Sequence, residues 1–107
     1  MTLRLTEEST TNNTQGVISV EGDLTIYTVK FFMESILEQI YEHQVLSIHL
    51  FDVGYMDAAG IHSLEFLKKY AESEGKELYF ASLSNSAMDI LDNYTRHNSH
   101  QATNLSF

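Results

Sequence analysis

Cysteine is absent from this 107-residue chain, which excludes disulfides, thiolate metal sites and cysteine nucleophiles. Its absence also fits a reducing compartment. Basic residues are scarce: six Lys and Arg stand against fifteen Asp and Glu, for a formal charge of −9. A nucleic-acid surface needs clustered cations, and the densest basic pair is Lys68–Lys69, so no nucleic-acid partner is expected. The acidity keeps a small domain soluble and would steer a partner with a basic patch towards it. No apolar stretch approaches the ~20 residues that span a bilayer. The opening MTLRLTEEST lacks the basic start and long apolar run of a signal peptide. The expected location is cytoplasmic, without direct membrane insertion. Glycine is thinly spread, at positions 16, 22, 54, 60 and 75, so there is no glycine-rich phosphate loop.

What is present is a core. A hydrophobic fraction of 43% is that of a globular protein, and the length suits a single domain, 1–107. LRL at 3–5 alternates as a short strand, and TEESTTNNTQG at 6–16 reads as a polar loop. GVISVEGDL at 16–24 reads as a strand with β-branched Val17, Ile18 and Val20. Val29, Phe32, Met33, Ile36, Leu37, Ile40 and Tyr41 then recur at helical spacing. Thr25 or Thr28 is placed to cap that helix. VLSIHLF at 45–51 is apolar throughout and reads as a strand buried on both faces, with His49 a packed residue. Ile61, Leu64, Leu67, Tyr70 and Ala71 form one face of a second helix, and Gly75 suits the position just past its end. ELYFA at 77–81 is another strand. SNSAMDILDNY is a third helix, with Ser86 and Asp89 spaced as a capping box. The expected class is α/β: a small mixed sheet with helices mainly on one face, in the order β-β-α-β-α-β-α. The core spans about 15–94, and the polar tail 97–107 has no period.

Catalytic constellations are missing. No nucleophile elbow occurs. Glu7–Glu8 and Asp89–Asp92 read as solvated surface acids. His97 and His100, three apart with Asp92 near, are too few secured ligands for a metal site. No enzyme activity, metal or cofactor is expected.

The stretch YMDAAGIHSLEFL, residues 55–67, has the grammar of a strand running into a helix. Asp57 is a natural N-cap, able to accept from Ala59 or Gly60 and to complement the positive helix end. Gly60 permits another backbone to come close. Ala58 and Ala59, which follow the aspartate directly, carry no reactive group.

GDLTIYTVKFFMESI, followed by SIHLFDVGYMDAAGIHSLEFLKKYAESEGKELYFASLSNSAMDIL, resembles the STAS domain, the fold of anti-sigma factor antagonists. The likeness covers roughly residues 15–94 and lies in the order and spacing of its parts. These are a Gly-Asp/Glu-Leu turn before the first helix, an apolar strand, and an Asp-Ser-Ser/Ala-Gly start to the second helix. The resemblance implies a small sheet with helices on one face and a non-catalytic regulatory module that binds a protein partner. It implies a partner-binding surface at Gly22, Asp23, Leu24 and Thr25, and at Asp57, Ala58, Ala59, Gly60, Ile61 and His62, with Glu65 a further candidate. In such domains the serine after the motif aspartate is phosphorylated by a kinase that is itself the anti-sigma factor, and phosphate disrupts binding.

Here Ala58 stands at that position, a degenerate phospho-acceptor. The resemblance therefore implies binding without that switch, with Thr25 or Ser63 as substitute phosphosites to be considered. The implied partner is a kinase-like anti-sigma factor or a response-regulator protein. The alternative is an accessory role beside a membrane lipid or anion transporter, including its ATPase, or a scaffold near chemotaxis and signalling proteins.

Overall fold

The β-branched run at Val17, Ile18 and Val20 lies on an inner strand of the sheet in the computed structural model, which describes residues 2–8 and 14–97. The elements are β1 (Leu3–Glu8), β2 (Gln15–Leu24), α1 (Val29–Glu42), β3 (Val45–Met56), α2 (Ala58–Ser73), β4 (Glu77–Ala81) and α3 (Asn85–His97), in the expected order. One four-stranded sheet runs β1-β2-β3-β4. β1 is antiparallel to β2, while β2–β3 and β3–β4 are parallel. Two crossovers that step the same way across a sheet place their helices on one face when both have the usual right hand. Burial identifies that face: Ile18, Val20, Leu46, Ile48, Leu50, Leu78 and Phe80 join Phe32, Ile36, Leu64 and Leu67 in one core.

Several local expectations are corrected. β1 runs on to Glu8 and β2 begins at Gln15, so both ends of the expected 6–16 loop are strand. β3 is not buried on both faces. Leu46, Ile48 and Leu50 are buried, while Val45, Ser47 and His49 between them are half-exposed and Phe51 is exposed. Helices cover only the inner face, so continuous apolarity here did not mean two covered sides.

β3 also extends to Met56, through register shifts against β2 between Ser19 and Glu21 and between Gly22 and Asp23. An extra residue at each shift breaks the two-residue alternation. The inward positions therefore step from Leu50 to Val53 to Met56.

On α1 the apolar stripe drifts. Tyr41 is 85% exposed, and Gln39 is buried in its place, its amide donating to Glu7 of β1. Tyr70, also assigned to a buried face, is 37% exposed.

The caps differ too. Ser84, not Ser86, starts α3: its hydroxyl accepts from Ala87 N at 3.0 Å and donates to Val53 O at 2.7 Å. Ser84→Ala should therefore cost about 1–2 kcal/mol, read as a lower urea midpoint with an unchanged slope. The end of α2 is as expected. Gly75 has φ 70°, Gly75 N donates to Glu72 O, and Lys76 N to Ala71 O, the paired bonds of a Schellman turn.

The tail residues 98–107, including His100 of the His97–His100 pair, lie outside the described residues. No cluster of potential metal ligands occurs among the described residues. No helix among them is long and apolar enough to cross a membrane.

Candidate functional site

The parallel ladder ends with Asp23 opposite Tyr55 and Leu24 opposite Met56. The chain leaves both strands at the same end of the sheet, so the turn after β2 and the start of α2 become neighbours. Sequence separation hides this: the GDLT and DAAG segments are more than thirty residues apart.

Asp57 joins them. Its Oδ1 accepts from Gly60 N at 2.9 Å as the N-cap of α2. Its Oδ2 accepts from Ile26 N at 2.9 Å, in the turn between β2 and α1. The backbone repeats the link, Asp57 N donating to Leu24 O at 3.3 Å. Partial burial pushes the Asp57 carboxyl up. The amides of Ile26, Gly60, Ala59 and Asp57 outweigh that and hold it below its ordinary value.

Gly60 is where the segments touch. A Cβ there would stand far inside van der Waals contact with the Leu24 carbonyl oxygen. The same turn depends on Gly22, whose φ of 117° suits glycine.

Neither threonine caps α1 as expected. Thr28 occupies the N-cap position, but its side chain makes no cap hydrogen bond. Its hydroxyl accepts from Thr25 N at 3.0 Å and donates to Asp23 O at 2.7 Å. Thr25 Oγ1 accepts from Tyr27 N at 3.3 Å. Both hydroxyls are turned into the loop, locking residues 23–28 instead of the helix.

These bonds sort the expected surface. Ala58 is exposed, Ala59 and Asp57 are half-buried, and Gly22 and Asp23 are half-exposed. Leu24, Thr25, Gly60 and Ile61 are buried. Ile61, a partner contact by the resemblance, belongs to the core at 2% exposure, as its place on the apolar face of α2 predicts; it lies beneath the exposed Ala58 and His62.

His62 is exposed and its Nε2 lies 2.9 Å from the Tyr94 hydroxyl. That hydroxyl donates to Glu65 Oε1 at 3.2 Å. Burial, with Glu65 beside it, raises the Tyr94 hydroxyl above its usual range, so it remains a donor. His62 and Glu65 thus hold α3 against α2.

The substitute phosphosites are also placed. Ser63 is buried and donates to Gly60 O at 2.6 Å, and Thr25 is 1% exposed. Neither hydroxyl is open to a kinase in this conformation.

Two residues beside the turn went unnoticed in the sequence. Ile26 is 61% exposed and Tyr27 82%, although both sit on backbone pinned by hydrogen bonds. Apolar side chains in a short turn carry no periodicity, so no sequence pattern marked them.

A family model described as the STAS domain matches residues 6–100. No curated protein sequence matches significantly. Among solved structures, the chain is similar to the anti-sigma factor antagonist SpoIIAA in its unphosphorylated form. There the TM-score is 0.64 at 14% identity, covering 83% of this chain and 82% of that one. It is likewise similar to an antisigma-factor antagonist STAS domain from Rhodobacter sphaeroides, with TM-score 0.67, 20% identity and coverage of 79% and 90%. A sulfate transporter family protein from Wolinella succinogenes is comparably similar, with TM-score 0.65, 18% identity and coverage of 87% and 76%. At these identities the likeness is one of fold.

Proposed function

The chain belongs to the STAS domain family, and on that premise we propose that it is a non-catalytic binding module of the anti-sigma factor antagonist kind. Its working surface is the Asp57-clamped junction of the β2–α1 turn with the start of α2. The family match and the likeness to anti-sigma factor antagonists support the antagonist kind, and Ala58 is the observation that carries the absence of a phospho-switch. It is exposed at the first helical position after the capping aspartate, where a methyl group replaces the hydroxyl such a switch requires. With Thr25 and Ser63 buried, partner binding is constitutive and is controlled by abundance or by competition for the partner. The partner is a kinase-like anti-sigma factor or a response-regulator protein.

The second reading, a subunit beside a membrane transporter or its ATPase, is favoured by the same alanine and by the likeness to a sulfate transporter family protein. A scaffold role among signalling proteins rests on the alanine alone.

The test is affinity capture from native cytoplasm with wild type and Ala58→Glu, identifying bound proteins by mass. An acid in the first turn complements the helix dipole and adds about 0.3–1 kcal/mol of stability. The variant should therefore melt no lower than wild type, and any lost binding belongs to the surface. Recovery of a kinase-like or anti-sigma protein by wild type, and its loss with Ala58→Glu, supports the antagonist reading. Recovery of a transporter ATPase supports the second. A bound set untouched by the charge removes this surface from consideration.

A further inference from the structure

A cleft of about 290 Å³ runs between the edge strand β1 and α1. The apolar part of its lining is Leu5, Ile18 and Phe31; the polar part is Glu7, Ser35, Glu38 and Gln39. Phe31, Ser35 and Glu38 stand at i, i+4 and i+7, one stripe of α1. On β1, Leu5 and Glu7 are two apart and share one face of the strand. Glu7 and Glu38 are exposed, and Phe31 is 52% exposed. None of these residues belongs to the Asp57 junction.

Two features separate the cleft from ordinary acidic surface. The first is Gln39, a polar side chain only 9% exposed. An amide is costly to bury unless it is bonded, and the bond that Gln39 donates goes to Glu7, fixing that carboxylate at the cleft. The second is the lack of a neutralising charge. Among the described residues, no Lys, Arg or His lines the cleft. Arg4, on the opposite face of β1, pairs with Glu21. Lys30 stands eight residues before Glu38, about 12 Å along the helix.

We propose that this cleft binds an organic cation: an ammonium or guanidinium head on an aliphatic stem of lysine or arginine length. Glu7 and Glu38 take the head through charge-assisted hydrogen bonds, and the Phe31 ring offers it a negative face. Leu5 and Ile18 receive the stem, as apolar surface does for long basic side chains. A bare metal ion does not fit, because it needs several oxygen or nitrogen ligands and much of this lining is apolar. An anion would meet both carboxylates.

The test is an amide-resolved NMR titration of the full chain with n-butylguanidinium. Saturable shifts are expected at Leu5, Phe31, Ser35 and Glu38, with a Kd on the order of 1–10 mM for so small a ligand. n-Butanol, with the same stem and no charge, should give no saturable shift in that range. Glu38→Gln and Phe31→Ala should each weaken binding about threefold or more; both positions are exposed, and thermal melting should show both variants folded. Phe66→Ala, which removes an exposed ring beside Lys69 on α2, should bind as wild type does. N-acetylarginine N-methylamide presents the same head and stem from a peptide backbone. Equal binding of it assigns the cleft to a basic side chain of a protein, and failure to bind it while n-butylguanidinium binds assigns the cleft to a free amine or guanidine. Shifts that do not saturate, that n-butanol reproduces, or that survive both cleft variants undiminished overturn the proposal.

Discussion

Gly60→Ala should be strongly destabilising. The new Cβ would be driven into the Leu24 carbonyl oxygen, a backbone atom at the end of a strand paired on both sides. Little there can give way: Leu24 is fully buried, its carbonyl accepts from Asp57 N, and the next turn is tied to the Asp57 carboxylate. Overpacking usually costs about 1–3 kcal/mol, and with a backbone obstacle the upper end is expected. For a domain of this size that lowers the melting temperature by roughly 10–20 °C, measurable by circular dichroism. Gly75→Ala offers the contrast: its Cβ would meet no atom beyond its chain neighbours within 4 Å, so only the left-handed φ of 70° is at stake. A melting temperature for Gly60→Ala within about 3 °C of wild type, a change worth under 1 kcal/mol, would show that α2 can slide away. The close approach would then not be a fixed feature of the site.

Asp57→Ala should lose roughly 2–4 kcal/mol, because it strips acceptors from two amides in different segments, Gly60 and Ile26. Asp57→Asn keeps one acceptor oxygen but turns its NH2 towards the other amide, so about 1–2 kcal/mol should go. The two losses should also differ in place. Hydrogen exchange at Ile26 and Tyr27 should quicken in both variants, while the asparagine variant should retain protection at Gly60 if its oxygen stays on the helix.

The carboxylate carries a pH signature as well. Its folded pKa lies below its ordinary value because the amide hydrogen bonds outweigh the opposing effect of burial. The folded state therefore binds fewer protons than the unfolded chain between the two pKa values, and stability rises with pH across that window. The contribution is complete above the unfolded value, about 3.9, and is lost as acid carries the pH down through the folded one. Urea titrations between about pH 2 and 6, spanning that value, should show wild type losing this increment on the acid side and Asp57→Ala lacking it. Parallel pH curves would show that the carboxylate does not hold the junction.

The element order was legible because its signals are local. Phe32, Ile36 and Ile40 repeat at the helical period and are buried, Val17 to Val20 have strand chemistry, and Gly75 marks the end of α2. Asp57 could be seen as a cap, since Gly60 lies three residues on. Its other bond could not. Ile26 is 31 positions away, and only the parallel pairing of β2 with β3 brings it within reach. The same pairing explains why the cap chemistry of Thr25 and Thr28 was misassigned: the hydroxyls close on Asp23 and Tyr27 in a turn whose shape is imposed by α2. Ser84 displaced Ser86 for a similar reason, since the Val53 carbonyl offers it a second bond. Periodicity and capping depend on neighbours a few residues apart and can be read along the chain. Which strand face lies open, which hydroxyls are hidden and which side chains surround Ala58 depend on contacts between distant segments, and those exist only once the sheet has formed.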